Sequence, residues 1–234
     1  VTRANGSPGV HAGLLDRLGR LIADGELAEG QVLRTEELEA RFDVSRTVAR
    51  EAVRVLESMG MVTSRRRVGV TVAGQGRWNV FDPTVIRWRL AGSDRVAQLR
   101  SLSELRTGFE PAAARYAAGR ATPEQCGVLT GAVMDMSVHG RAGDLEAYLA
   151  ADILFHRTLL AASGNEMLAA LADVVAEVLA GRTTHGLMPV TPDPAAIRLH
   201  ADVAQAVQAG DADAAHRAMT DIISEAATSM LRGE

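Results

Sequence analysis

The sequence predicts a mainly α protein: a small N-terminal domain of helices completed by one β-hairpin, followed by an all-α helical bundle. Three observations carry that prediction. Apolar residues recur at three- and four-residue spacing along most of the 234 positions. Strand-like runs are confined to 61–64 and 68–72. Gly, Pro and Asp cluster between the periodic stretches rather than inside them. Aromatic residues make up only 3% of the chain, which disfavours a sandwich or barrel. The length suits two cores, and the expected boundaries are 1–73 for the first domain, 74–81 for a linker and 82–234 for the second.

Leu14, Leu15, Leu18, Leu21 and Ile22 form the apolar face of a first helix that stops at Asp24-Gly25. After a turn at Glu29-Gly30, Thr35 is placed to cap a second helix, with Glu36 and Glu37 near the positive end of its dipole. Ser45 caps a third helix running to about Met59, with Val48, Ala52, Val55, Leu56 and Met59 turned inward. Gly60 ends it. The two strand-like runs flank Arg65-Arg66-Arg67 and read as a hairpin with the arginines at its tip, and Gly74-Gln75-Gly76 reads as a linker. From Asp82 on, seven helices are expected, at 82–91, 94–119, 123–139, 143–162, 165–181, 193–209 and 211–232.

The net charge of −4 gives no basic excess over the whole chain of the kind that phosphate binding needs. It conceals a split, since residues 1–75 carry 11 Arg against 10 acidic groups and the remainder 14 against 19. All 25 basic residues are Arg. No apolar run is long enough to span a membrane, and Val1 to Val10 lack the apolar stretch of a signal peptide, so a cytoplasmic protein without membrane attachment is expected. The single cysteine, Cys126, can form no internal disulfide and no zinc-finger site.

Helix, helix, tight turn, helix, hairpin is the order of a winged helix-turn-helix, whose last helix enters the major groove of DNA. At the start of that helix the unpaired N–H groups and the dipole favour phosphate. Arg46 and Arg50 lie one turn apart there, with hydroxyls from Ser45 and Thr47. Arginines so placed can fork onto guanine or clamp phosphates. The plainer reading is a solvated stripe of Arg46, Arg50 and Arg54 making helical ion pairs; the density of arginine at the hairpin tip favours DNA. The stretches Gly30-Gln31-Val32-Leu33, Thr35-Glu36-Glu37-Leu38, Val44-Ser45-Arg46-Thr47 and Arg50 to Glu57, with Gly60-Met61-Val62 and Gly69, resemble the DNA-binding domain of GntR-family regulators. The resemblance implies operator contacts from Arg34, Arg46 and Arg50, and a wing that approaches the groove at Gly69. The full DNA-facing set is Arg34, Thr35, Ser45, Arg46, Thr47, Arg50, Arg66, Arg67 and Gly69. Val48-Ala49 departs from the proline-containing pair usual in the family.

In the second domain Asp152 and His156 stand four apart on one helix face, and His200 lies on a later helix. Carboxylate and imidazole suit zinc, nickel or manganese. Taken alone, the pair is also compatible with a surface hydrogen bond or a satisfied core histidine. Leu105-Arg106, Glu110-Pro111, Ala114-Arg115, Asp152 with Phe155-His156, Ser163-Gly164-Asn165 and His200 ahead of 206–211 resemble the FCD ligand-binding domain of the FadR branch of GntR regulators. That resemblance implies a divalent metal on Asp152, His156 and His200. It also implies a pocket-facing Arg106 for an organic-acid effector, although Arg106 can equally pair with Glu110 one turn on. A further histidine common in the family is replaced by Ile222, leaving three ligands; Asp221 and His216 are not placed to substitute.

The segment Trp78 to Pro83 with Trp88 is similar to FadR-branch repressors of sugar-acid catabolism, which points to an aldonate or uronate. A homodimer on a palindromic operator is expected, acting as a repressor by family habit. An enzyme is not expected, because no general base or nucleophile motif accompanies the three ligands. A helical domain that only dimerises is the other alternative.

Overall fold

The computed structural model describes residues 8–65, 69–186 and 192–232, and the chain divides into two compact units between Arg95 and Val96. The first contains α1 (Pro8–Ala23), β1 (Val32–Leu33), α2 (Thr35–Phe42), α3 (Arg46–Ser58), β2 (Val62–Arg65), β3 (Gly69–Val72) and α4 (Pro83–Ala91). Leu14, Leu18 and Ile22 of α1 bury against Leu38 of α2 and Ala49, Ala52 and Leu56 of α3, all at most 3% exposed. Ser45 caps α3, its Oγ accepting from Val48 N at 3.4 Å. Thr35 does not cap α2. It is the helix's first residue, and the cap position belongs to Arg34, which makes no side-chain cap bond.

The hairpin forms as expected, with Thr63 opposite Thr71 and Arg65 opposite Gly69, and it gains a third antiparallel strand, β1, in the order β1-β3-β2. Two residues are too short to carry a period. β1 exists because β3 supplies partners: Val72 N donates to Gln31 O at 2.9 Å and Gly30 N to Val72 O at 3.0 Å. Arg66 and Arg67, expected at the tip, lie outside the described residues.

Segment 74–81 is no free linker. Gln75–Arg77 form a 3-10 turn, the buried Trp78 indole donates to Ala73 O at 2.9 Å, and Asn79 N donates to Met59 O at 2.8 Å. The first unit also runs past the expected boundary at 82, because α4 packs on α1. Trp88 is 1% exposed, its Nε1 donates to Asp16 Oδ1 at 2.8 Å, and its ring occupies space that only a glycine leaves. A Cβ on Gly19 would stand 2.3 Å from it.

The second unit is all-helical: α5 (Arg95–Ala118), α6 (Pro123–Ala142), α7 (Leu145–Ala162), α8 (Glu166–Ala169), α9 (Ala172–Thr184), α10 (Pro194–Ala209) and α11 (Ala212–Arg232). The helix expected at 165–181 is two, broken at Ala170-Leu171, with Asn165 Oδ1 capping the first by accepting from Met167 N at 2.9 Å. Ala114, Leu129, Phe155, Leu159, Val203, Val207 and Met219 belong to the main core of this bundle. No helix among the described residues is long and apolar enough to cross a membrane.

Candidate DNA-facing surface and buried polar site

Burying Ala49, Ala52, Val53 and Leu56 turns the opposite face of α3 outward, so Arg46, Thr47 and Arg50 are exposed beside the exposed cap Ser45. Arg34 is exposed and Thr35 half-buried at the start of α2. Arg46 approaches Glu36 at 3.7 Å with both side chains about two-thirds exposed, a loose pair that water screens. Arg54 is bound to Glu51 at 2.8 Å, so the solvated-stripe reading holds for that arginine. Arg34 and Arg50 carry no ion pair among the described residues. Gly69 has a reason within the fold. Its φ is +111°, and a Cβ there would meet Val32 Cγ1 at 3.2 Å and Leu33 O at 3.3 Å in β1. Glu57, at the far end of α3, ties helix to hairpin by accepting from Ser64 N at 2.8 Å and Ser64 Oγ at 3.2 Å.

In the second unit, four helices bring a connected set of ionisable groups into the interior. Arg106 and Glu110 sit one turn apart on α5, Asp152 and His156 one turn apart on α7, His200 on α10 and Arg182 on α9. All six are at most 8% exposed. Arg106 Nε donates to Glu110 Oε1. The other carboxylate oxygen of Glu110 lies 2.6 Å from His156 Nδ1. His156 Nε2 and His200 Nε2 both face Asp152 Oδ1, at 3.4 and 3.3 Å. Phe155 packs against the two imidazoles, ring centroids 5.6 and 5.0 Å away.

The hydrogen bonds fix what these atoms can do. His200 Nδ1 is 2.7 Å from Ala196 O; a carbonyl only accepts, so Nδ1 carries the proton and neutral His200 presents a bare lone pair at Nε2. That lone pair points at a carboxylate oxygen, and both Asp152 Oδ1 and His200 Nε2 are buried without a hydrogen-bond partner. Two facing acceptors repel unless a proton on the imidazole Nε2 or a metal ion lies between them. One donor atom each from Asp152, His156 and His200 fall within 4.8 Å of one another. Glu110 behind His156 and the Ala196 carbonyl behind His200 are the outer partners that orient metal-binding imidazoles. The residues therefore fit a divalent metal.

Without a metal, the charges hold one another. Burial penalises the Glu110 carboxylate, but Arg106 and then His156 outweigh it and bring its pKa down to about 2. Burial likewise works against protonated His156, and Glu110 together with Asp152 overcomes that, raising it to about 9. Asp152 is held well below the carboxylate range against its burial by His156 and His200. Burial and the nearby Asp152 push the Tyr148 phenol up.

A cavity of about 170 Å³ opens onto this set, lined also by Tyr148, Arg182, Ile222 and Glu225. Asp152, His156, His200 and Arg106 thus converge on one space. Ile222 stands in the lining where the family resemblance places a further histidine, and neither Asp221 nor His216 is among the lining residues. The sequence reading passed over four contributors. Tyr148, one turn before Asp152, was accessible from helical spacing; Glu110 as the partner of His156 was not, since the two stand on α5 and α7. Arg182 and Glu225 are isolated charges on separate helices with no local signal.

A winged helix-turn-helix unit followed by a helical unit enclosing a polar cavity defines a DNA-binding transcription regulator. Residues 12–72 match the bacterial regulatory proteins of the gntR family and residues 101–225 the FCD domain, so the chain belongs to the GntR family, in its FCD-containing branch. It is 30% identical to the galactonate operon transcriptional repressor of Escherichia coli K12 over 88% of this chain and 90% of the relative. It is 29% identical to the transcriptional repressor NanR of Cronobacter sakazakii, over 87% and 78%. The fold is shared with the solved Lar regulator of Listeria monocytogenes, at TM-score 0.59 and 20% identity, covering 98% and 100%. The family and these relatives are transcription regulators, not enzymes.

Proposed function

We propose that this regulator is a homodimeric repressor of a palindromic operator, released by a small organic acid that binds beside a divalent metal in the second unit. The observation that carries the reading is the pair of facing acceptors, Asp152 Oδ1 and His200 Nε2, buried without a hydrogen-bond partner. Asp152, His156 and His200 would hold zinc, nickel or manganese, and such an ion supplies open coordination positions for the oxygens of an acid. Arg106, Arg182 and the metal make the cavity attractive to a carboxylate. A relative named for the galactonate operon supports a sugar acid such as an aldonate. In the first unit, exposed Arg34, Arg46 and Arg50 are the operator contacts proposed, with Ser45 and Thr47 at the same helix start.

Regulation requires that the acid bind one arrangement of the dimer better than the other. The test is a fluorescence titration on the DNA upstream of the protein's own gene, with a panel of organic acids, with and without chelator, alongside elemental analysis. Release from DNA by an aldonate, weakened by chelator, is expected. Equal operator affinity with and without every acid overturns the coupling, and purified protein without first-row metal overturns the metal site.

A further inference from the structure

Helix α6 buries one face in the bundle, through Leu129, Ala132, Met136 and Gly140, and leaves the opposite face unpacked among the described residues. On that outer face Glu124, Gly127, Gly131, Met134, Val138 and Arg141 recur at alternating spacings of three and four, the seam of a two-helix coiled coil. Met134 and Val138 are 64% and 53% exposed, and Val128 beside the seam is 38% exposed. Large apolar side chains gathered on one exposed face mark a protein-binding surface. The two glycines have no reason within the chain. Glycine inside a helix is destabilising relative to alanine, yet a Cβ on Gly127 or Gly131 would meet nothing within 4 Å. Together with Met134 they line an open groove of about 850 Å³.

The order of residues along the seam selects the partner. A two-fold axis between Gly131 and Met134 sets Gly131 opposite Met134 of a second copy, Gly127 opposite Val138, and Glu124 opposite Arg141, each pairing occurring twice. Every apolar layer then joins a missing side chain to a large exposed one, and each end joins an acid to a base. A parallel copy would instead set glycine on glycine and like charge on like charge. Arg141 donates to Ser137 Oγ of its own helix at 3.1 Å, and neither it nor Glu124 has an ion pair among the described residues, so both charges are free to meet a second copy. The seam is about 26 Å long at the rise of an α-helix.

We propose that the outer face of α6 is where this chain meets a second copy, the two helices packing antiparallel with Met134 and Val138 seated over Gly131 and Gly127. This rests on the homodimer reading and names its surface. The test is sedimentation velocity of the full-length protein over a range of concentrations. Wild type is compared with Gly131→Arg, Glu124→Arg, Arg141→Glu and an equimolar mixture of the last two. Gly131→Arg enters open space and raises helix propensity, so the chain keeps its far-UV circular dichroism; bulk and an unpaired charge at the axis weaken dimerisation about 100-fold. Each charge reversal sets like charges together at both ends of the seam and weakens dimerisation about tenfold. In the mixture acid again faces base at both ends, and affinity returns to within about threefold of wild type. If Gly131→Arg does not fold, the reversals decide. Full dimerisation of all the variants overturns α6 as the interface and leaves its outer face to a different partner. Reversals that weaken the dimer without recovery on mixing overturn the antiparallel register. A monomeric wild type overturns the homodimer reading itself, an outcome distinct from a loss confined to the variants.

Discussion

Glu110 shows how much one side chain can organise. It is fully buried, takes Arg106 on one oxygen and His156 on the other, and so fixes which imidazole nitrogen faces Asp152. Replacing it by Gln keeps the shape and removes the charge; zinc affinity, read by competition with a chromophoric chelator, should fall about 10- to 100-fold. An unchanged affinity would mean that His156 is oriented without it. On the DNA side, Arg50 and Arg54 offer a contrast. Arg54 already binds Glu51 at 2.8 Å, whereas Arg50 is exposed without an ion pair among the described residues. Arg50→Ala should weaken operator binding and lower the salt slope by about 0.9, while Arg54→Ala changes both little. Equal effects from the two would remove Arg50 from the contact set.

At the scale of elements, α4 is the instructive case. Read along the chain, it looks like the opening helix of the second domain; in space it closes the first. Two carboxylates of the first unit hold it and the turn that follows. Asp16 accepts from Trp88, and Asp24 accepts from Ser93 N at 2.8 Å and Ser93 Oγ at 2.7 Å. Asp16 is held below its usual pKa of 3.8 first by Arg20, against burial, and then by Trp88; Asp24 is held down by Ser93. A carboxylate with a depressed folded pKa stabilises fully above its unfolded value and loses that contribution as the pH falls through the folded one. Acidification below 3.8 should therefore loosen α4. In a Trp78→Phe background Trp88 fluorescence should change in that range, and Asp16→Asn should blunt the change. A signal flat down to global unfolding would sink this. Gly19→Ala should cost about 1–3 kcal/mol in chemical denaturation, since the methyl group collides with the Trp88 ring.

For the whole molecule, two units with separate cores imply separable stabilities, and the proposed metal site belongs to only one of them. A metal at about 1,000 times its Kd contributes about 4 kcal/mol by mass action. Chelator should thus lower the calorimetric transition of the second unit and leave that of the first in place. A uniform shift of both would show that the units melt as one.

Much of this was legible in the order of residues. Leu14 to Ile22, the Ser45 cap, Gly60 and the hairpin runs announce the first unit, and Gly, Pro and Asp mark most helix ends of the second, because periodicity and capping act over a turn or two of chain. The family signature is equally local. What only the tertiary structure decided depends on which faces meet. Nothing near Val32-Leu33 declares a strand, since its partner lies 37 or more positions away at Gly69–Val72. Nothing near Trp88 announces Asp16 or the gap at Gly19. Asp152 and His156 could be paired on paper, but their convergence with His200, with Glu110 behind them and Arg182 beside them, is set by long-range packing of α5, α7, α9 and α10. Local spacing determines helices; the burial of their shared faces decides where the charges meet.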